Sequence, residues 1–211
     1  MDPENFEEVK SNFDSSGELR PAKIAIVGRP NVGKSTIFNR LAGKKLAIVN
    51  DTPGVTRDVR EVRSKLRGHS MVLMDTAGFE NAKGHKIEAK MRAQTELAVL
   101  DADIVLFVYD AREGVTPLDR NFAQYVRRSN KTTFLVANKC ESSAADAGIT
   151  DGYSLGMGDP IEVAAEHNIG FGELDDAVEL ALRDVDLNIR DDNINYEEAP
   201  VRIAIVGRPN A

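Results

Sequence analysis

Length, composition and charge already exclude several classes of protein. The chain has 211 residues, of which 42% are hydrophobic and 29% charged, which is typical of a globular protein rather than a disordered or fibrous one. With one cysteine and three histidines, we expect neither a disulfide framework nor a structural zinc site. The longest apolar run, 104–109, is too short for a membrane helix of roughly 20 residues, and the N-terminal sequence does not resemble a signal peptide. We therefore expect a soluble, cytoplasmic protein that does not enter a membrane.

The net charge of −7 is distributed unevenly along the chain. Residues 1–21 carry −4 and residues 184–199 carry −5, whereas the last twelve residues carry +2. The remaining segment, 22–183, is therefore neutral. A neutral body exerts little long-range attraction on nucleic acid, so charge predicts no DNA partner and gives no basis for inferring RNA binding.

Short apolar runs alternate with amphipathic segments from residue 22 onward. In chain order we predict strand 23–27, helix 34–41, hairpin strands 60–67 and 70–75, helix 86–100, strand 104–109, helix 118–128, strand 133–137, a short helix near 152–156, strand 161–164 and helix 172–183. Polar stretches rich in proline or glycine, 44–58 and 76–86, are predicted to be irregular.

This alternation predicts a three-layer α/β domain with parallel βαβ units covered on both faces. We expect a six-stranded, mostly parallel sheet in which only the hairpin strand 60–67 runs antiparallel. Outside the domain at 22–183, we interpret 1–21 as a mobile acidic extension and 184–199 as an acidic linker.

One segment of the sequence occurs twice. Residues 23–31, Lys-Ile-Ala-Ile-Val-Gly-Arg-Pro-Asn, return at 202–210 with eight of nine residues identical. The offset of 179 residues corresponds to a whole domain plus a linker and not to a solenoid repeat. We interpret 200–211 as the truncated start of a second copy of the domain, with one nucleotide bound per chain.

A glycine-rich motif connects the first predicted strand to the first predicted helix. It comprises Gly28, Arg29, Pro30, Asn31, Val32, Gly33, Lys34 and Ser35, followed by Thr36. The pattern G-x-x-x-x-G-K-[ST] in this context predicts a P-loop, whose backbone N–H groups surround phosphate oxygens. Lys34 would reach the β- and γ-phosphates, and Ser35 would offer its hydroxyl to Mg²⁺.

A second motif follows the strand 70–75, about 40 residues after the P-loop. It comprises Asp75, Thr76, Ala77 and Gly78. An aspartate at this strand end can hold Mg²⁺ through water, and the Gly78 N–H can approach a γ-phosphate. D-x-x-G is weak alone, but its distance from the P-loop favours a nucleotide hydrolase.

Two further strand ends suggest that the base is guanine. The first is formed by Asn138, Lys139, Cys140 and Glu141. A carboxylate here would accept from guanine N1–H and N2–H₂, a donor pair that adenine lacks, although the usual form is N-K-x-D and Glu141 is one methylene longer. The second comprises Ala164, Ala165 and Glu166, where a guanine-binding loop usually has Ser-Ala-Lys. A small-molecule kinase would need neither guanine loop.

The irregular stretch 51–58 contains two threonines, Thr52 and Thr56. A threonine here can close onto Mg²⁺ when GTP is bound and so order the loop. We choose Thr56 because Thr-Arg-Asp matches a familiar GTPase pattern; the alternative is a loop with solvated threonines.

These motifs, together with the returning strand, resemble the Der (EngA) family of tandem GTPases over about residues 22–211. The resemblance implies a Ras-like P-loop domain that binds GTP or GDP with Mg²⁺, is monomeric, and belongs to a protein that assembles the large ribosomal subunit. Phe79 stands where Ras-like enzymes place a catalytic glutamine, so we expect slow hydrolysis without it. Asn31 matches an asparagine that helps hold K⁺ in related GTPases; the alternative is a hydrogen bond that braces the loop.

Two alternatives of other kinds remain open. One is a nucleotide-switched module that binds the ribosome or RNA with negligible turnover. The other is a single-domain relative such as Era or a tRNA-modification G domain, against which the repeat at 202–210 argues. A basic row on strand 60–67, formed by Arg63, Lys65 and Arg67, is interpreted as a solvated face rather than an RNA contact.

Overall fold

The computed structural model describes residues 20–43, 47–48, 60–76 and 85–191. Predictions for the extension 1–19, the switch threonine Thr56, the residues Ala77, Gly78 and Phe79, and the segment 192–211 lie outside the described residues. Residues Pro21–Val185 form one compact unit.

Seven strands form one sheet. They are β1 (Ala22–Val27), β2 (Ala47–Ile48), β3 (Arg60–Leu66), β4 (His69–Asp75), β5 (Ile104–Asp110), β6 (Thr132–Asn138) and β7 (Ile161–Val163). Their order across the sheet is β2-β3-β4-β1-β5-β6-β7. Only β3 runs opposite to the others, as predicted, because it pairs antiparallel with both of its neighbours.

The six predicted strands are all present, and β2 adds a short seventh at the edge. This strand lies in the stretch 44–58 that we predicted to be irregular. Its two residues pair with Arg63 and Val62 of β3. A pairing of two residues leaves no alternation of polar and apolar side chains in the sequence, so the pattern could not reveal it.

Within the described part of the chain, five helices accompany the sheet. They are α1 (Lys34–Ala42), α2 (His85–Asp101), α3 (Pro117–Arg128), α4 (Asp146–Gly152) and α5 (Phe171–Asp191), with 3₁₀ turns at Ser143–Ala145 and Tyr153–Leu155. Helix α5 extends to Asp191, eight residues beyond the end predicted at 183, and so includes the first half of the predicted linker. The reason is that 184–191 contains no glycine or proline to end the helix.

Helix α4 begins at Asp146, before the short helix predicted near 152–156, and the 3₁₀ turn Tyr153–Leu155 lies in the predicted stretch. Two glycines let α4 approach β5 and the residue that follows it. A Cβ atom on Gly148 would lie 1.8 Å from the Ala111 carbonyl oxygen, and one on Gly152 would lie 2.2 Å from the Tyr109 hydroxyl. Glycine is normally poor in helices, but here its missing side chain is what permits the packing.

The core lies on both faces of the sheet, as expected for a three-layer domain. Alternate residues of β1 point to opposite sides: Ile24 and Ile26 pack in one buried cluster with α1, whereas Ala25 and Val27 pack in the other. All seven residues of β5 are buried. Burial on both faces is what gives this strand its uninterrupted apolar sequence.

Parallel pairing brings the carboxyl ends of several strands to one edge of the sheet. Ile26 of β1 lies opposite Asp75 of β4, and Asp110 of β5 lies opposite Asn138 of β6. Asn138 is in turn opposite Val163 of β7. The polar residues that end these strands therefore lie beside the loop that follows β1, which is where open α/β sheets bind their ligands.

Candidate functional site

The glycine-rich loop after β1 is packed too tightly for side chains at two positions. A Cβ on Gly28 would lie 2.2 Å from the Val108 carbonyl oxygen, and one on Gly33 would lie 2.1 Å from Asn138 Nδ2. Both glycines have positive φ, +148° and +98°, which side chains disfavour. Asn31 also has a positive φ, 64°. The loop ends at Gly33, the N-cap of α1, which makes no side-chain capping hydrogen bond.

The motif lysine is held inside this loop. Lys34 is 3% exposed, and its ammonium group donates a hydrogen bond to the Arg29 carbonyl at 2.8 Å. A buried ammonium group needs such partners, because burial without them disfavours the charge. This hydrogen bond holds the ammonium group against the backbone of the loop.

The Arg29 side chain is fixed by two carboxylates that the sequence motifs did not include. Its Nε atom lies 3.2 Å from Oδ2 of Asp119, which is fully buried on α3, and a terminal nitrogen lies 2.6 Å from Glu113 Oε2. The same Asp119 oxygen accepts from the backbone N–H and hydroxyl of Thr116, the N-cap residue of α3. The cap motif Thr-Pro-Leu-Asp is visible in the sequence, but its contact with the P-loop is not.

Asn138 joins three loops through one buried amide. Its Nδ2 donates to the Val32 carbonyl in the P-loop at 2.7 Å. Its Oδ1 accepts from the Ala165 N–H, after β7, at 3.0 Å. The side chain is 3% exposed, so both bonds are shielded from water. This residue therefore sets the spacing between the phosphate-binding loop and the two predicted base-binding loops.

Lys139 makes a second connection between these loops. Its ammonium group lies 2.5 Å from Oδ2 of Asp110, a buried residue at the end of β5. It also donates to the Asn31 carbonyl at 3.0 Å. The lysine stem consequently stretches across the space beside the P-loop. Sequence reasoning missed Asp110, although its place at the end of an apolar strand was a signal that could have suggested it.

A cleft of about 230 Å³ lies where these loops meet. Among the residues that line it are Asn31, Gly33, Ser35, Thr36, Asn138, Lys139, Glu141, Ala165 and Glu166. All of these were proposed from the sequence as site residues, and the fold brings them together from three separate parts of the chain. Arg112 also lines the cleft, although no motif in the sequence indicated it.

The cysteine of this loop is a neutral thiol packed below the surface. Burial, and next the nearby Glu162 carboxylate, raise the pKa of Cys140 to about 11. Its S–H donates to the Ala137 carbonyl at 3.3 Å, and its backbone N–H donates to the Val163 carbonyl at 3.1 Å. These contacts fix the backbone of the loop, and the raised pKa excludes a nucleophilic thiolate near neutral pH.

The loop after β7 is held from the other side by α1. Arg40 donates through Nε to the Ala165 carbonyl at 3.1 Å and through a terminal nitrogen to the Glu166 carbonyl at 3.0 Å. Ala164 and Ala165 are buried, whereas Glu166 is exposed. The Ala165 N–H donates to the Asn138 side chain, so in this structure it supports the loop after β7.

Of the three residues predicted to hold a metal ion, Thr56 lies outside the described residues, and Ser35 and Asp75 lie on two neighbouring elements. Ser35 lines the cleft from the first turn of α1, and Asp75, 4% exposed, ends β4 beside β1. The Thr76 hydroxyl donates a hydrogen bond to the Ile26 carbonyl at 3.0 Å, which ties the end of β4 to β1. A hydroxyl and a carboxylate are oxygen ligands of the kind Mg²⁺ prefers, so the donor set fits that ion.

The basic row on β3 is largely solvated. Arg63 and Lys65 are exposed, and Arg67 lies 2.5 Å from Asp176 and 2.7 Å from Glu179 of α5. These hydrogen-bonded carboxylates raise the pKa of Arg67. Within the described ranges, no helix is long and apolar enough to span a membrane.

Comparisons with known proteins agree with this arrangement. The family described as "50S ribosome-binding GTPase" matches residues 23–139. The chain is 48% identical over 195 residues to GTPase Der of Rhodopseudomonas palustris (strain BisB5), covering 89% of this chain and 42% of that protein. It is 50% identical over 210 residues to GTPase Der of Parvibaculum lavamentivorans, covering 89% and 44%. The chain thus spans less than half the length of these relatives.

Solved structures show the same fold. Era in complex with MgGDPNP and a fragment of 16S ribosomal RNA is 26% identical, with a TM-score of 0.59 over 78% of this chain and 56% of that one. Aquifex aeolicus Era bound to GDP and AlF₄⁻ is also 26% identical, with a TM-score of 0.58 over 78% and 57%. Together with the P-loop and the cleft, these similarities show that the chain belongs to the family of 50S ribosome-binding GTPases and is similar, over 89% of its length, to GTPases Der.

Proposed function

We propose that this chain binds GTP in the cleft beside the P-loop and hydrolyses it to GDP and phosphate. The observation that carries the proposal is the joining of the P-loop to both base-binding loops through the buried Asn138 amide. A phosphate-binding loop alone would serve any nucleotide. A phosphate loop held at fixed spacing from an Asn-Lys-x-Glu loop supports recognition of both ends of one guanine nucleotide.

In the proposed reaction a water oxygen bonds to the γ-phosphorus while the bond from that phosphorus to the bridging oxygen of GDP breaks. Lys34 and the backbone N–H groups of the loop would stabilise the charge on the phosphate oxygens. Ser35, Asp75 and Thr56 would hold Mg²⁺, which supplies positive charge at the β- and γ-phosphates when bound. The Gly78 N–H would contact the γ-phosphate.

Base selectivity is assigned to Glu141, with Lys139 lying along the base. A carboxylate accepts from the N1–H and N2–H₂ groups of guanine and finds no such donor pair on adenine. The Era structure with MgGDPNP and the Era structure with GDP and AlF₄⁻ support a guanine nucleotide and Mg²⁺ in this chain.

The longer protein that resembles the relatives above is proposed to act on the ribosome. This chain is proposed to function as a monomer. It is also proposed to use K⁺ as an additional ion at Asn31. The family description, 50S ribosome-binding, and the ribosomal RNA in an Era complex support the first part. For K⁺, Asn31 lies in the P-loop and lines the cleft. The ion would offset phosphate charge in an enzyme without a catalytic glutamine at Phe79.

Titration calorimetry with GDP and ADP tests the base assignment. We expect GDP to bind and ADP to bind far more weakly, and Glu141→Ala to remove two hydrogen bonds, of which charge-assisted ones contribute about 1.5–3 kcal/mol each. Glu173→Ala, a matched change of an exposed glutamate on α5, should leave both affinities unchanged. Equal affinity for GDP and ADP would refute the proposal.

Phosphate release measured in K⁺ and in Na⁺ at equal ionic strength tests hydrolysis. We expect faster release in K⁺, loss of that difference in Asn31→Ala, and loss of release in Lys34→Ala. Tight GDP binding without measurable release would favour the alternative of a nucleotide-switched binding module. Equal rates in the two salts would exclude K⁺ from the reaction.

A further inference from the structure

The carboxylate assigned to the base has an arginine beside it. A terminal nitrogen of Arg112 lies 3.4 Å from Glu141 Oε1, and both side chains line the cleft. We propose that Arg112 is a positioning residue for base recognition: it holds the Glu141 carboxylate where guanine can donate to it. The inference rests on the proposed function, because it assigns a role within the guanine site.

Arg112 is presented by a braced turn rather than by a loose loop. Asp110 Oδ1 accepts from the Arg112 backbone N–H at 3.0 Å, and the Asp110 carbonyl accepts from the Gly114 N–H at 3.0 Å. The other Asp110 oxygen pairs with Lys139 of the base-binding loop. The backbone of Arg112 is therefore tied to the same loop that carries Glu141.

The far side of this turn is tied to the P-loop. Glu113, the residue after Arg112, pairs with Arg29 at 2.6 Å, and Arg29 is also held by the buried Asp119. The turn thus contacts the phosphate loop through one residue and the base loop through another. Its arginine is placed relative to both ends of the nucleotide site.

A glutamate at this position benefits from such support more than the usual aspartate. Its extra methylene adds a rotatable bond, so more conformational freedom is lost when the carboxylate is fixed against the base. An ion pair formed before binding reduces that cost. Each carboxylate oxygen has two acceptor sites, so Oε1 can accept from Arg112 and from the base at once.

The size of the effect follows from exposure. The Arg112 side chain is 49% exposed and that of Glu141 27%, and pairs of this kind are weak because water screens them. We therefore expect Arg112→Ala to lower GDP affinity by about two- to five-fold, the range typical of exposed ion pairs. Arg112→Lys, which keeps the charge, should restore part of the loss.

Calorimetry with GDP and IDP separates positioning from a general structural effect. Hypoxanthine lacks the 2-amino group of guanine, so the ratio of the two affinities reports how well the carboxylate meets that group. Arg112→Ala should lower the GDP:IDP ratio, whereas a purely structural change would lower both affinities equally. Arg120→Ala is the matched control, because Arg120 is exposed on α3 and donates to Ser154 away from the cleft lining.

Repeating the Arg112→Ala substitution in a Glu141→Asp variant tests whether the effect acts through Glu141. Glu141→Asp shortens the side chain by one methylene. Arg112→Ala should therefore change the ratio of GDP to IDP affinity in the otherwise unsubstituted chain and not in the Glu141→Asp variant. The inference would be overturned if Arg112→Ala left the GDP:IDP affinity ratio unchanged in the otherwise unsubstituted chain, or if it tightened GDP binding. It would also be overturned if Arg112→Ala changed that ratio equally with Glu141 and with Asp at position 141. Failure of the unsubstituted chain to bind GDP would overturn the proposed function as well.

Discussion

Replacing Asn138 by alanine removes the amide that joins three loops. The Val32 carbonyl and the Ala165 N–H each lose a hydrogen bond, of 2.7 Å and 3.0 Å. Both residues are at most 2% exposed, so water has little access to the groups left behind. A buried polar group without a partner costs about 1–3 kcal/mol, and two of them cost about 2–6 kcal/mol.

That loss is large relative to a typical free energy of unfolding of about 5–15 kcal/mol. Urea unfolding of the nucleotide-free protein measures it, and the m-value should stay constant while the midpoint falls. Asn121→Ala is the matched control, because Asn121 is exposed on α3 and its removal should change stability by less than about 0.5 kcal/mol.

GDP affinity should fall together with stability in Asn138→Ala, because the phosphate loop and the loop after β7 lose their common support. A change in unfolding free energy below about 1 kcal/mol would contradict this prediction, since it would show that the two buried groups find other partners. A large loss of stability with unchanged GDP affinity would refute the claim that this amide sets the spacing of the site.

Three further predictions follow from single contacts. Gly33→Ala should greatly reduce GDP binding because its Cβ would lie 2.1 Å from Asn138 Nδ2, whereas Gly43→Ala, also at positive φ but with nothing within 4 Å of its Cβ, should preserve it. Burial raises the pKa of Cys140 from 9.0 to about 11, so native alkylation should reach its half-maximal rate near pH 11. Because the unfolded thiol releases its proton first, stability should fall as pH rises from 9 to 11. Asp119→Ala should cost about 1.5–3 kcal/mol in urea unfolding, because Thr116 and the Nε of Arg29 lose a charged hydrogen-bond partner while Arg29 keeps its pairing with Glu113; a loss below about 0.5 kcal/mol would contradict this.

Local patterns predicted most of the fold because they act over few residues. The continuous apolar run that contains Ile24, Ala25 and Ile26 indicates a strand buried on both faces, and β1 is such a strand. The G-x-x-x-x-G-K-S pattern predicted a loop that needs glycine, and the contacts of Gly28 and Gly33 show why. Pattern reasoning failed for β2 and for the end of α5. A two-residue pairing has no period, and an acidic run without glycine or proline does not stop a helix.

The residue types of the site can be read from local motifs, since a P-loop lysine and an Asn-Lys-x-Glu loop are recognisable without coordinates. The contacts that support these residues become visible only in the folded chain. Asn138 meets Val32 across 106 positions, Arg29 meets Asp119 across 90, and Lys139 meets Asp110 across 29. Such contacts depend on the order and register of strands in the sheet, which a linear pattern does not encode. Parallel pairing of β1, β5 and β6 places their carboxyl ends at one edge of the sheet, where buried charges and amides must find their partners among neighbouring loops.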